Sequence, residues 1–173
     1  MQVLADAKQT AELVAELGRW VASCRGDRSD QFAVVGVRSR GDVIARRVAE
    51  QAGVERVGVL DITLYRDDLS EIAAQPVVRT TEIDFSLDGL DVVLIDDVLM
   101  SGRSVRAALS VLMDLGRPRR VWLAVLVDRG GEAKELPIAA DFTGMTHVGA
   151  GRVSVRVTPT DDRDAIELEG GRA

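Results

Sequence analysis

Cysteine and histidine are almost missing from the 173 residues: Cys24 and His147 are the only ones. A single thiol excludes an internal disulfide and gives no sign of an oxidising compartment. One imidazole and one thiol also exclude a structural zinc site built from this chain. No G-x-S-x-G elbow accompanies His147 in GMTHVGAG, so a Ser-His-Asp hydrolase is disfavoured and His147 reads as a polar cap residue. Two common phosphate signatures are absent as well, G-x-x-x-x-G-K-[ST] and G-x-G-x-x-G. No apolar run approaches the roughly 20 residues of a membrane helix. The opening MQVLADAKQT lacks the basic-then-apolar pattern of a secretion signal. No membrane partner is therefore expected, and the cytoplasm is the expected compartment. A basic excess is lacking too: the net charge is −6 and the pI about 4.9. That argues against a uniformly basic nucleic-acid surface and leaves room only for a local patch.

What is present is a soluble globular balance, 46% hydrophobic and 29% charged, without repeats, linkers or low-complexity tracts. The reading is one domain over 1–173. Leu13, Val14, Leu17 and Val21 recur at helical spacing and predict a helix over 7–24. FAVVGV (32–37) reads as a buried strand, followed by a helix opened by Gly41 and Asp42 and stopped by Gly53. VGVLDITLY (57–65) is β-branched and strand-like, and 66–81 is a polar stretch without a period. VVLI (92–95) and VWLAVLV (121–127) are further buried strands, with a helix over 104–115 between them. Continuously apolar strands alternating with helices predict an α/β fold, a mostly parallel central sheet flanked by helices. The weakly alternating tail, about 136–168, predicts an edge strand or a small cap.

The stretch VVLIDDVLMSGRSVRAAL carries the chemistry. Asp96 and Asp97 follow an apolar strand, a loop of small hydroxyl residues around Gly102 comes next, and a helix begins behind it. Backbone N–H groups and the dipole at a helix start attract an anion, and Ser101 and Ser104 add donors. The acid pair repels phosphate but accepts hydrogen bonds from vicinal hydroxyls such as a ribose diol. Taken alone, an Asp-Asp pair is a strand-end turn and Ser101 or Ser104 a helix cap. Two further polar clusters at strand ends, Arg38-Ser39-Arg40-Gly41 and Asp128-Arg129-Gly130, shift the reading toward a ribose-phosphate site, because open α/β sheets bind ligands at that rim.

VVLIDDVLMSGRS resembles the PRPP (phosphoribosyl diphosphate) signature of type I phosphoribosyltransferases. GVRSRGDVIARRVAE, VGVLDITLYRDDLSEI and DLGRPRRVWLAVLVDRG narrow the resemblance to the PyrR family, closely over about 33–144. Members of that family are uracil phosphoribosyltransferases that also regulate pyrimidine operons by transcription attenuation. The resemblance implies that Asp96 and Asp97 hold the ribose hydroxyls and that Val98, Leu99, Met100, Ser101, Gly102, Arg103 and Ser104 wrap the 5′-phosphate. It implies a pyrophosphate loop at Arg38, Ser39, Arg40 and Gly41. A flexible lid at about 66–81 would supply Arg66 to catalysis and Arg79 to pyrophosphate, and a hood would lie at about 136–168. Val127, Asp128 and Arg129 would sit at the uracil base. Mg²⁺ is the implied cofactor, held mostly by PRPP oxygens with Asp128 nearby.

The implied partners are PRPP, uracil, UMP or UTP, pyr mRNA leader and a second copy of the chain, as a homodimer or higher homo-oligomer. One departure bears on the RNA. Where relatives run Asp-Arg-Gly-His-Arg-Glu-Leu-Pro-Ile-Arg, this chain continues from Asp128-Arg129-Gly130 with GEAKELPIA, and their Gly-Lys-Asn-(apolar)-Pro-Thr-Ser run is here GMTHVGA. Fewer cations mean fewer phosphate contacts. The expectation is therefore a nucleotide-dependent RNA regulator with transferase activity; the alternative is a transferase that has lost RNA binding.

Overall fold

The computed structural model describes residues 1–63 and 81–170. The lid expected at 66–81, with Arg66 and Arg79, falls outside the described residues apart from Thr81.

A five-stranded parallel sheet forms the centre, in the order β3 (Val57–Leu60), β2 (Phe32–Val37), β4 (Asp91–Leu99), β5 (Arg120–Asp128), β6 (Phe142–Thr146). Helices α1 (Ala7–Arg25) and α2 (Gly41–Ala52) cover one face, and α3 (Arg103–Leu115) covers the other. Alternation along the strands sorts the core. Val34, Val93 and Ile95 pack with Leu17, Val21, Ile44 and Val48, whereas Val35, Val92 and Leu94 pack with Val105, Ala108 and Leu112. Burial on both faces is why these strands read as unbroken apolar runs.

Local chemistry sets the helix ends. Asp6 and Gln9 form a reciprocal capping box at the start of α1, with bonds of 2.9 and 3.0 Å. Gly53, left-handed, closes α2 and donates its N–H to Ala49 and Glu50 carbonyls.

Three boundaries differ from the sequence reading. Strand β4 does not stop at Ile95: it runs through both aspartates to Leu99, with Asp96, Val98 and Leu99 in register with Val125, Val127 and Asp128. Polar residues hid a strand end whose partner is apolar. Strand β3 ends at Leu60, before the expected Tyr65, because the Asp61 carboxylate accepts the Thr63 N–H and hydroxyl (2.9 and 2.5 Å) and turns the chain. The tail divides. Phe142–Thr146 joins the main sheet beside β5, so it is not part of the hood. The hood is an antiparallel sheet of β1 (Gln2–Ala5), β8 (Ala165–Glu169) and β7 (Arg152–Arg156), and β1 was not expected. Arg47 on α2 ties the hood down through Asp164 and the Val157 carbonyl (2.7 Å).

Candidate active site

Because the five strands are parallel, their carboxyl ends share one rim. The 38–40 loop follows β2, Asp61 follows β3, residues 100–102 follow β4 and Arg129–Gly130 follow β5.

The first loop lies directly against the acid pair. A Cβ on Gly41 would meet the Ile95 carbonyl oxygen at 2.5 Å and Asp96 Cα at 3.2 Å, so only glycine allows this approach. A cis peptide bond joins Arg38 to Ser39. Arg38 donates its backbone N–H to Leu60 (2.9 Å) and pairs through Nη2 with Glu82 (2.7 Å). Nε of Arg38, Nε of Arg40 and Oδ1 of Asp42 are buried without hydrogen-bond partners. Two unsatisfied guanidinium donors in one loop fit an anion.

Asp96 is 6% exposed and its Oδ1 accepts the Asp97 N–H at 2.9 Å. Asp97 is partly buried, and its Oδ1 accepts the Val98 N–H at 2.9 Å. Burial pushes the Asp97 carboxyl above its ordinary value; the Arg40 guanidinium, the side chain of Asp96 and the Val98 N–H oppose that rise. Thus the cation of the first loop acts electrostatically on the acids of β4.

Between β4 and α3, Gly102 is the N-cap residue and supplies no side-chain cap. Ser101 Oγ accepts the Arg103 N–H at 3.3 Å, and its carbonyl accepts the N–H groups of Glu135 and Leu136 at 3.1 Å. Arg103 is held outward by Glu135 at 2.6 Å, Met100 is exposed, and Ser104 is half-buried in the first turn of α3. The Val98 and Leu99 backbones are engaged with β5, so the open backbone of this cradle begins at Met100.

The β5 end is organised differently from expectation. Val127 is fully buried, in register with Val98 and Met145. Asp128 Oδ1 accepts the Gly130 N–H (2.7 Å) and Oδ2 pairs with Lys134 (2.9 Å). Arg129, 4% exposed, donates from Nε to the His147 carbonyl (3.1 Å), from Nη1 to Gly151 (2.8 Å) and from Nη2 to Gly149. All three guanidinium nitrogens thus serve backbone carbonyls. Sequence reasoning missed this clasp, the Lys134 pairing and the Glu82 pairing, because each joins residues far apart in the chain. The Asp61–Thr63 turn had a local signal in Asp-Ile-Thr.

Residues 6–151 match the family model for the phosphoribosyl transferase domain. A Thermus aquaticus protein named Bifunctional protein PyrR is 53% identical over 148 residues, 81% of this chain and 80% of its own length. A protein of the same name from Deinococcus radiodurans is 50% identical over 151 residues, covering 83% and 81%. This chain belongs to the PyrR family of phosphoribosyltransferases. In fold, the PyrR-family chain is also similar to a hypoxanthine phosphoribosyltransferase of Trypanosoma cruzi. The TM-score is 0.73 at 14% identity, over 99% of this chain and 98% of that one. The type I phosphoribosyltransferase fold expected from the sequence is thereby borne out, as is the PyrR resemblance.

Proposed function

We propose that this chain binds PRPP and uracil and forms UMP and diphosphate, and that it regulates pyrimidine-gene expression by binding pyr mRNA leader with UMP or UTP. One observation carries the reading. Asp96 and Asp97 lie at one rim between a loop with unsatisfied guanidinium donors and an open helix N-terminus. Diol acceptors flanked by two anion sites match a ribose bearing phosphoryl groups at both ends.

In this reading the acids accept hydrogen bonds from the ribose 2′- and 3′-hydroxyls. Residues 100–104 hold the 5′-phosphate, and Arg38 to Gly41 hold the diphosphate. The C1′–O bond breaks first and its electron pair leaves with diphosphate, giving an oxocarbenium-like ribosyl group. Uracil N1 then bonds to C1′ and its proton passes to solvent. The protein contributes position and charge stabilisation, and Arg66 and Arg79 belong to a lid that excludes water.

Mg²⁺ fits through the substrate more than through the chain. No three His, Cys, Asp or Glu side chains converge among the described residues, and Asp128 is already paired with Lys134. Hard diphosphate oxygens would hold the ion, which when bound neutralises the departing charge.

The second reading, a transferase without RNA binding, is favoured by the 131–149 segment. Its single lysine or arginine, Lys134, is tied to Asp128 amid Glu132, Glu135 and Asp141. A cytoplasmic homo-oligomer is the form proposed; no helix among the described residues is long and apolar enough to cross a membrane. Labelled-uracil turnover with PRPP, beside filter binding of pyr leader RNA with and without UMP at fixed salt, tests both halves. Labelled UMP and UMP-dependent retention are expected. Absence of the first refutes the transferase, and absence of the second refutes the regulator and leaves the second reading.

A further inference from the structure

We propose that Arg129 is the positioning residue of the pyrimidine subsite: it does not touch the base but fixes the backbone that reads it. This rests on the uracil reading above. The residue is buried at the end of β5, and its backbone N–H donates to the Leu99 carbonyl at 2.8 Å, immediately before the phosphate loop. Its side chain gathers the carbonyls of His147, Gly149 and Gly151, three alternate residues of one connecting segment. His147 is held from the other side by its N–H on the Asp128 carbonyl at 3.0 Å.

A buried guanidinium is costly unless its donors are satisfied, and its planar fork imposes the acceptor positions. The geometry has a consequence for the opposite side of the segment. In a planar trans peptide the N–H of the following residue points away from the carbonyl. With the carbonyls of His147 and Gly149 turned onto Arg129, the N–H groups of Val148 and Ala150 turn away from it. Val148 is 66% exposed and packs over the Gly130–Gly131 turn at the β5 end of the rim. Two backbone donors spaced along an exposed segment suit a flat heterocycle with two carbonyl acceptors, as uracil has at O2 and O4.

The test is steady-state kinetics of UMP formation by wild type, Arg129→Gln, Arg129→Lys and Gly149→Ala. Gly149 has φ +129°, a conformation that L side chains rarely adopt, yet nothing lies within 4 Å of a Cβ placed there. Alanine should therefore displace its carbonyl without disturbing the core. Arg129→Gln should raise KM for uracil about tenfold while KM for PRPP stays within about threefold. Arg129→Lys should recover part of the loss, since an ammonium donates without the fork, and Gly149→Ala should repeat the selective uracil effect. Should both Arg129 variants fail to fold, Gly149→Ala carries the test alone. Uracil and PRPP KM values that rise together, or a uracil KM that does not move, overturn the proposal and leave the uracil reading standing. A wild type that forms no UMP overturns that reading, and the proposal with it.

Discussion

Lys134 Nζ lies 2.9 Å from Asp128 Oδ2, and both side chains are largely buried, 26% and 13% exposed. The pair stitches the end of β5 to the segment that returns to the phosphate loop, where Glu135 and Leu136 donate to Ser101. Asp128→Asn keeps an acceptor for the Gly130 N–H but leaves the ammonium without its partner charge. It should cost about 1–3 kcal/mol in urea unfolding. Lys134→Met in the same background should recover part of that cost; strictly additive losses would show that the two residues do not act as a pair.

Asp97 predicts a pH dependence. Its ordinary value is 3.8, and burial raises it in the folded protein against the opposing Arg40 charge. A folded-state value above the unfolded one means the native chain binds the proton more tightly. Stability from this group is therefore present below 3.8 and lost as pH rises through the raised value. Asp97→Asn cannot ionise and should gain in melting temperature over wild type with rising pH, from near zero at about pH 3 to positive at about pH 7. A difference that stays flat across that range contradicts the assignment.

Gly41→Ala forces a methyl group to within 2.5 Å of the Ile95 carbonyl. Overpacking of this kind costs about 1–3 kcal/mol. Moving the Arg38–Arg40 loop off β4 should also weaken PRPP binding by more than tenfold, read by calorimetry. Unchanged stability and affinity would mean that the loop is not held by this contact.

Ser101→Ala with Ser104→Ala removes two hydroxyls from the phosphate cradle but leaves the backbone of α3 in place. PRPP affinity should fall by about three- to tenfold per lost hydrogen bond, with the melting temperature little changed because both side chains lie at the surface end of the helix. An unaltered affinity would assign the 5′-phosphate to backbone donors alone.

The helices and inner strands were legible because their signals are local: a stripe of Val14, Leu17 and Val21, a stop at Gly53, and apolar runs buried on both faces. The acid pair and its loop were legible for the same reason, being contiguous in the chain. What escaped depends on pairing between distant segments. Strand β1 exists because β8 lies beside it, and β4 extends past Asp97 because β5 continues in register. Arg129 reads in the sequence as a cation beside a ligand; only its contacts, 18 to 22 residues onward, give it a backbone to organise.

The measurement that bears most directly on the account is calorimetric titration of PRPP into wild-type protein and into the Asp96→Asn/Asp97→Asn double variant. Neutral amides accept hydrogen bonds from the ribose hydroxyls less strongly than carboxylates do. Saturable binding to wild type and affinity at least tenfold weaker in the folded double variant are expected. Equal affinity for the two proteins would contradict the assignment of these acids to the sugar.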